Sequence, residues 1–155
     1  MNDFPVKFLR IDDRLLHGQV IVGWLPVLGV SHLVVANTKV ANDILRQEMM
    51  RISVPSGVAL HVIPPGNPLP ASVSFDTLIV VASPRDAWLC VQDGIRPERL
   101  NVGGMHSRPG KTELLEALHL DDEDREYFTR LMEAGHVPVF QPTPQNDPVS
   151  INDIL

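Results

Sequence analysis

The sequence predicts a doubly wound, mostly parallel α/β sheet with helices on both faces, a single domain over residues 1–155. Short apolar runs rich in branched residues alternate with stretches of helical spacing, and turn signals mark each change. Most of these runs are nearly continuous rather than alternating, as expected of strands covered on both faces.

The strands fall at Val6–Ile11, His32–Ala36, Ala59–Ile63, Thr77–Ala82, Leu100–Val102 and Val137–Phe140. After the first, the apolar stretch Val20–Leu28 is helical, and Pro26 should end or kink that helix. After the second, Ile44, Leu45, Met49 and Ile52 share one side of an amphipathic helix, with Arg46, Gln47 and Arg51 on the other. Ser83-Pro84-Arg85-Asp86 supplies an N-cap, a proline at the first helical position and an acid at the third, and Gly94 is the stop. Asp121 caps a further helix that runs to Ala134, where Gly135 supplies a left-handed end. The proline-dense stretch Pro64–Pro70 reads as a surface loop, and the tail from Gln141 as extended chain.

Composition narrows the function. Apolar residues make up 44% and charged residues 21%, the balance of a folded, water-soluble chain. The net charge of −6, with acids spread along the chain, argues against a nucleic-acid partner. Met1–Lys7 lacks the pattern of a secretory signal, and no apolar run approaches membrane-spanning length. A cytoplasmic location is therefore expected, with any membrane connection made through a partner. The one cysteine, Cys90, lies within a helix beside Trp88 and Val91 and reads as a small buried apolar residue. His32, His61, His119 and His136 show no ligand spacing, so no metal is expected.

Polar residues concentrate in the loop after the first strand, Asp12-Asp13-Arg14-Leu15-Leu16-His17-Gly18-Gln19. In doubly wound sheets ligands bind beyond the carboxyl ends of the strands. A strand-to-helix turn there sets His17 near free backbone N–H groups that favour an anion. Gly18 permits close backbone approach, Arg14 offers a fork of donors to phosphate oxygens, and neutral His17 offers a nitrogen nucleophile. Spacing alone leaves two readings open: a phosphoryl acceptor, or an ordinary polar loop histidine. Asp12 and Asp13 read as partners of Arg10 or Arg14 in surface pairs worth under about 1 kcal/mol, or as helix caps. Asp13, Asn37, Ser83, Gly104 and His106 stand at or near predicted strand ends and are candidate pocket residues. Singly, Asn37, Ser83 and the Gly103-Gly104 pair also suit turns and caps.

The run Ile11-Asp12-Asp13-Arg14-Leu15-Leu16-His17-Gly18-Gln19-Val20 resembles the phosphorylation-site segment of mannose/fructose/sorbose-family IIB components of sugar phosphotransferase systems. The likeness continues through Trp24, Val34-Val35-Ala36-Asn37, Val40-Ala41-Asn42-Asp43, Ser83-Pro84-Arg85-Asp86-Ala87, Gly94, Asn101-Val102-Gly103-Gly104-Met105-His106, Gly110-Lys111 and the helix containing Asp124. The resemblance implies a protein-N(pi)-phosphohistidine–sugar phosphotransferase: a IIA component phosphorylates His17 on Nδ1, and His17 delivers to a sugar held by membrane components IIC and IID. No cofactor is implied. By the same resemblance Arg14 contacts the phosphate, Gly18 and Gln19 stand at the helix start, and the chain sits at the membrane peripherally through IIC and IID. One departure is Asn37-Thr38, where many members have Asn-Asp, so a carboxylate is missing from the expected pocket.

Alternatives separate on stated features. A receiver-like domain would share the Asp12-Asp13 pair, but it needs an acceptor Asp after the third strand and a Lys after the fifth, where this chain has Ile63-Pro64 and Val102-Gly103. A regulatory module phosphorylated on His17 and acting by protein binding remains open. An apolar side of Val20–Leu28 would serve a homodimer or packing against the sheet equally well.

Overall fold

The computed structural model describes residues 3–155; Met1 and Asn2, where the expected domain and the Met1–Lys7 segment begin, lie outside the described residues. The central strand β1 is Phe4–Asp12, whose Val6, Phe8, Leu9 and Ile11 are wholly buried because β1 has a strand on each side and helices above and below. A widely wound π-helical stretch, Gln19–Trp24, runs into α1, Leu25–Leu28. Pro26 lies in the first turn of α1 and has no N–H to return to the preceding turn, while the Leu25 N–H reaches back to Val20 O; the winding changes there, and the helix runs on to Leu28 rather than ending at the proline. Val20, Trp24 and Leu25 pack inward against the sheet, and Val22 and Val27 face out.

Next come β2 (His32–Ala36), α2 (Thr38–Ala41), α3 (Ile44–Ser53), β3 (Ala59–Ile63), β4 (Thr77–Val81), α4 (Pro84–Gln92) and β5 (Ile95–Gly104). The antiparallel hairpin β6 (Thr112–Leu115) and β7 (Leu118–Leu120) precedes α5 (Asp122–Glu133), and β8 (Val139–Phe140), β9 (Val149–Ser150) and a 3-10 turn, Ile151–Asp153, close the chain. The main sheet has the order β3-β2-β4-β1-β5-β8-β9, parallel except for β9. The connection from β1 crosses β4 to reach β2, whereas that from β4 crosses β1 to reach β5. Neighbouring strands therefore send their chains in opposite directions, which opens a crevice at their carboxyl ends. Each face has its own core: Phe8, Val20, Trp24 and Met50 on one, Ala87, Cys90, Phe128 and Leu131 on the other.

Four elements differ from expectation. β5 begins five residues before Leu100; Pro97 is tolerated because β8 pairs only with Asn101 and Val102, so the first half of β5 has a free edge on that side among the described residues. The β6–β7 hairpin was not expected, since its turn uses Ala117 at φ +64° rather than glycine or asparagine. The tail after Gln141 is not simply extended: β9 pairs with β8 and Ile151 is fully buried. The largest difference is α3, whose apolar side faces solvent, with Ile44 76%, Leu45 73%, Met49 64% and Ile52 86% exposed. Its inward side holds Met50 and half-buried Gln47, which donates to Val40 O and Ala41 O, while exposed Arg51 reaches back to donate to Leu60 O. Polar side chains that satisfy carbonyls at the end of α2 and on β3 decide the orientation of the helix.

The caps follow the sequence reading. Ser83 Oγ accepts from Asp86 N–H at the start of α4, and Asp121 and Asp124 cap α5 reciprocally, each carboxylate accepting the other residue's N–H. Cys90 is buried on α4, and burial pushes its thiol up to about 12. No helix among the described residues is long and apolar enough to cross a membrane.

Candidate functional site

The site is built where β1 ends. A register shift between Ile11 and Asp12 brings Asp12 opposite Gly104 of β5 and turns its carboxylate into the buried space under the loop. Oδ1 of Asp12 accepts the Arg14 N–H at 3.0 Å, and the Asp12 carbonyl accepts the Leu15 N–H at 3.0 Å. Leu15 turns back through a left-handed conformation, φ +58°, held there by a side chain seated in the core. The carbonyl of His17 then accepts the Val20 and Ile21 N–H groups, starting the helix. The Gly18 and Gln19 N–H groups ahead of them bond no protein acceptor among the described residues.

His17 Nε2 is 2.7 Å from Asp12 Oδ2, and 15% of the His17 side chain is open to solvent. Asp12 is completely buried, and the same Oδ2 accepts from Arg10 Nη2 at 2.9 Å and Nε at 3.3 Å. Burial alone would push the Asp12 carboxyl up. The His17 hydrogen bond, the Arg10 charge and the Arg14 amide together outweigh it and hold Asp12 below its usual range. A carboxylate on Nε2 favours the tautomer with the proton on Nε2 and the lone pair on Nδ1. Nδ1 makes no hydrogen bond among the described residues.

Arg14 is exposed, and its side chain has no partner among the described residues. The surface pairs expected for the two acids are absent. Arg10–Asp12 is a buried ion pair, Asp13 pairs with His106, and neither acid caps the helix. Asp13 accepts both the His106 N–H at 2.7 Å and a ring bond to Nδ1 at 2.6 Å. Gln19 places its side-chain oxygen 3.2 Å from Arg10 Nη2. Gly18 stands in open space, so nothing in the chain itself presses on it.

The expected pocket residues gather at one end of the sheet. Asn37 and Ser83 first cap α2 and α4, as local chemistry predicts. Beyond that, Asn37 lines a cleft of about 380 Å³ with Asp13, Leu15, Lys39 and Arg46, and Ser83 lines one of about 310 Å³ with Asp13, Met105 and Arg108. Asp13 is common to both clefts. Gly104 lies between Asp12 and the His106 ring, with little room for any side chain of its own. Thr38 lines the Asn37 cleft in place of the missing carboxylate. A larger, open cavity of about 650 Å³, not foreseen from the sequence, lies on the other side of Gln19, between the β6–β7 turn and Pro142–Val149. Arg10 was also underestimated, although a charged residue inside the apolar run Leu9–Ile11 was a visible signal.

Fold and site place the chain among doubly wound α/β domains that present a histidine from the loop after the first strand. Residues 6–155 match the family model described as PTS system sorbose subfamily IIB component, and the chain belongs to that family. It is 32% identical over 135 residues to the sorbose-specific EIIB component of Klebsiella pneumoniae, covering 84% of this chain and 82% of that one. It is 33% identical over 152 residues to the N-acetylgalactosamine-specific phosphotransferase enzyme IIB component 2 of Escherichia coli K12, covering 94% and 96%. The mannose-specific EIIAB component of Escherichia coli K12 is 34% identical over 140 residues, 86% of this chain but only 43% of that relative, so the chain spans less than half of it. Among solved structures, the IIBSor domain of the sorbose permease from Klebsiella pneumoniae superimposes with a TM-score of 0.86 at 30% identity, covering 97% of this chain and 95% of that one. A Streptococcus pyogenes N-acetylgalactosamine IIB component gives 0.87 at 26% identity, with both chains fully covered. As a family member the chain is a phosphotransferase-system IIB component.

Proposed function

We propose that this chain takes a phosphoryl group from the phosphohistidine of a IIA protein or domain onto Nδ1 of His17 and passes it to a sugar held by IIC and IID membrane components. The observation that carries the reading is the 2.7 Å contact between His17 Nε2 and Asp12 Oδ2, which leaves the other ring nitrogen without a partner. In the first transfer the Nδ1 lone pair attacks phosphorus, and the pair of the breaking P–N bond returns to the donor ring. The Nε2 proton stays in place, so the ring gains positive charge directly against the Asp12 carboxylate. In the second transfer a sugar oxygen takes phosphorus and gives up its proton to water, and the N–P bonding pair returns to Nδ1.

The Gly18 and Gln19 N–H groups lie at the helix start, where an anion is favoured, and the exposed Arg14 guanidinium has no partner among the described residues. Loss of such a donor would raise the barrier by roughly 3 kcal/mol, by analogy with an oxyanion hole. The name EIIAB of the mannose relative supports a IIA partner for the chain. In this reading the chain works at the cytoplasmic face of the membrane, attached through IIC and IID. The relatives name sorbose, mannose and N-acetylgalactosamine, so the sugar is left unassigned.

The test is intact-mass measurement after mixing with a phosphorylated IIA protein, followed by mapping of the modified side chain. One phosphoryl group on His17 of the parent, and none on a folded His17→Ala variant, is the expected result. Equal labelling of the two overturns the reading.

A further inference from the structure

Arg10 is fully buried at the carboxyl end of β1, directly behind Asp12. Its donors are spoken for. Nε and Nη2 go to Asp12 Oδ2, Nη1 goes to Asn101 Oδ1 at 2.8 Å and to Gln141 O at 3.5 Å, and Nη2 also reaches Gln19 Oε1 at 3.2 Å. The Trp24 ring lies 6.0 Å from the guanidinium carbon, and β5 makes room with Gly103, where a methyl group would stand inside the guanidinium.

Stability does not account for such an arrangement. A buried ion pair is rarely better than well-packed apolar residues of the same volume, and apart from Asp12 the other wholly buried residues of β1 (Val6, Phe8, Leu9 and Ile11) are apolar. What the charge does achieve is geometric. The oxygen gripped by the planar fork is the oxygen that meets His17 Nε2, and the same guanidinium holds the side chain of Gln19 at the helix start.

We infer that Arg10 is the positioning residue of the transfer proposed above: its fork fixes the Asp12 carboxylate on His17 Nε2 and so keeps the ring in the tautomer whose lone pair is on Nδ1. Among the described residues Arg10 makes no hydrogen bond to the His17 ring and reaches it only through Asp12. As the N–P bond forms and the donor's bond breaks, the Nε2 proton must remain on the ring while positive charge grows there, and only a carboxylate held still can meet that charge without reorganising. The inference rests on His17 being the acceptor.

The experiment uses the full chain as parent, Arg10→Met and Arg10→Lys. Three quantities are read: ring tautomer of His17 by nitrogen-15 NMR, rate of phosphate incorporation from a phosphorylated IIA donor across pH, and thermal unfolding. The parent is expected in the Nε2–H tautomer. Arg10→Met should show a mixed tautomer and a labelling rate lower by about 100-fold or more, in the direction known for a lost histidine tautomer. Arg10→Lys keeps the charge without the fork, and should recover part of the rate, remaining about 10-fold below the parent with a tautomer mixture between the two. A parent ring in the Nδ1–H form overturns the inference, as does a folded Arg10→Met with parental tautomer and rate. If Arg10→Met does not fold, parental tautomer and rate in Arg10→Lys overturn it equally. A parent that takes no phosphate onto His17 defeats the carrier reading instead, while the tautomer measurement still judges Arg10.

Discussion

Oδ2 of Asp12 is shared between His17 Nε2 at 2.7 Å and Arg10 Nη2 at 2.9 Å, so one sealed oxygen joins the loop histidine to the centre of the sheet. Replacing Asp12 by Asn puts an amide where only an acceptor stood, and the amide can donate to the ring and invert its tautomer. The labelling rate of Asp12→Asn should fall by a factor on the order of 10⁴, the size found when a tautomer-fixing aspartate is changed in a serine protease. A rate within tenfold of the parent would show that the ring does not depend on this carboxylate.

The same substitution has a pH signature in stability. The folded carboxyl of Asp12 lies below its ordinary value of 3.8, because the His17 bond, the Arg10 charge and the Arg14 amide outweigh the upward push of burial. A depressed folded value means that the unfolded chain binds the proton more readily, so the contribution is present above the ordinary value and is lost as pH falls through the folded one. Urea midpoints of parent and Asp12→Asn should therefore be far apart at pH 7 and converge below about pH 3.8. A gap that stays constant down to pH 2 would remove Asp12 from the set of ionised, paired acids.

Two glycines at the site should behave oppositely. A Cβ at Gly103 would collide with the Arg10 guanidinium, whereas one at Gly18 would meet nothing within 4 Å, on a backbone already at a right-handed φ of −52°. Gly103→Ala should cost about 1–3 kcal/mol as an overpacked core site. Gly18→Ala should leave stability unchanged or raise it by up to about 1 kcal/mol. Denaturant unfolding checks both, and any loss of labelling in Gly18→Ala then reports on phosphate or partner approach rather than on the fold.

Features set by local chemistry were legible in the sequence. The bounds of β2 and β3, the Ser83 cap and the Asp121 cap all rest on residues within a few positions of one another. Features set by distant partners were not. Burial of Arg10 depends on Asn101 and Gln141, 91 and 131 residues further along, so a pair read as superficial turned out to be internal. The β6–β7 turn depends on an alanine in a left-handed conformation, which no composition rule marks. The His17 loop itself was readable as a cluster of polar residues, but the ranking of Asp12 over Asp13 as the His17 partner needed the register shift at the end of β1.

Helix α3 tests how far amphipathic spacing can mislead. Its apolar side is exposed and Met50 is the buried residue. Leu45→Glu and Ile52→Glu should each change stability by no more than about 0.5 kcal/mol, as ordinary surface substitutions do. Met50→Ala should cost about 2 kcal/mol or more through the cavity it leaves. The reverse ranking in chemical denaturation would mean that the helix lies the other way up.

At the far edge of the sheet, His32 Nδ1 and His61 Nε2 are 3.2 Å apart on the neighbouring strands β2 and β3. One ring must donate and the other accept, so the pair holds together with a single proton between the two facing nitrogens and repels when both rings are charged. Burial first, then the charges of His32 and Arg51, hold His61 below its ordinary value of 6.5. The folded state therefore binds this proton less readily than the unfolded chain, and stability is full above pH 6.5 and declines as pH falls through the lower folded value. His61→Gln keeps a side chain able to meet His32 but cannot titrate, and should flatten the stability profile just below pH 6.5 while leaving the acid transition of Asp12 in place. Urea midpoints at half-unit pH steps from 8 to 4 make the comparison; a variant that loses stability over the same interval as the parent would show that the histidine pair is not its source.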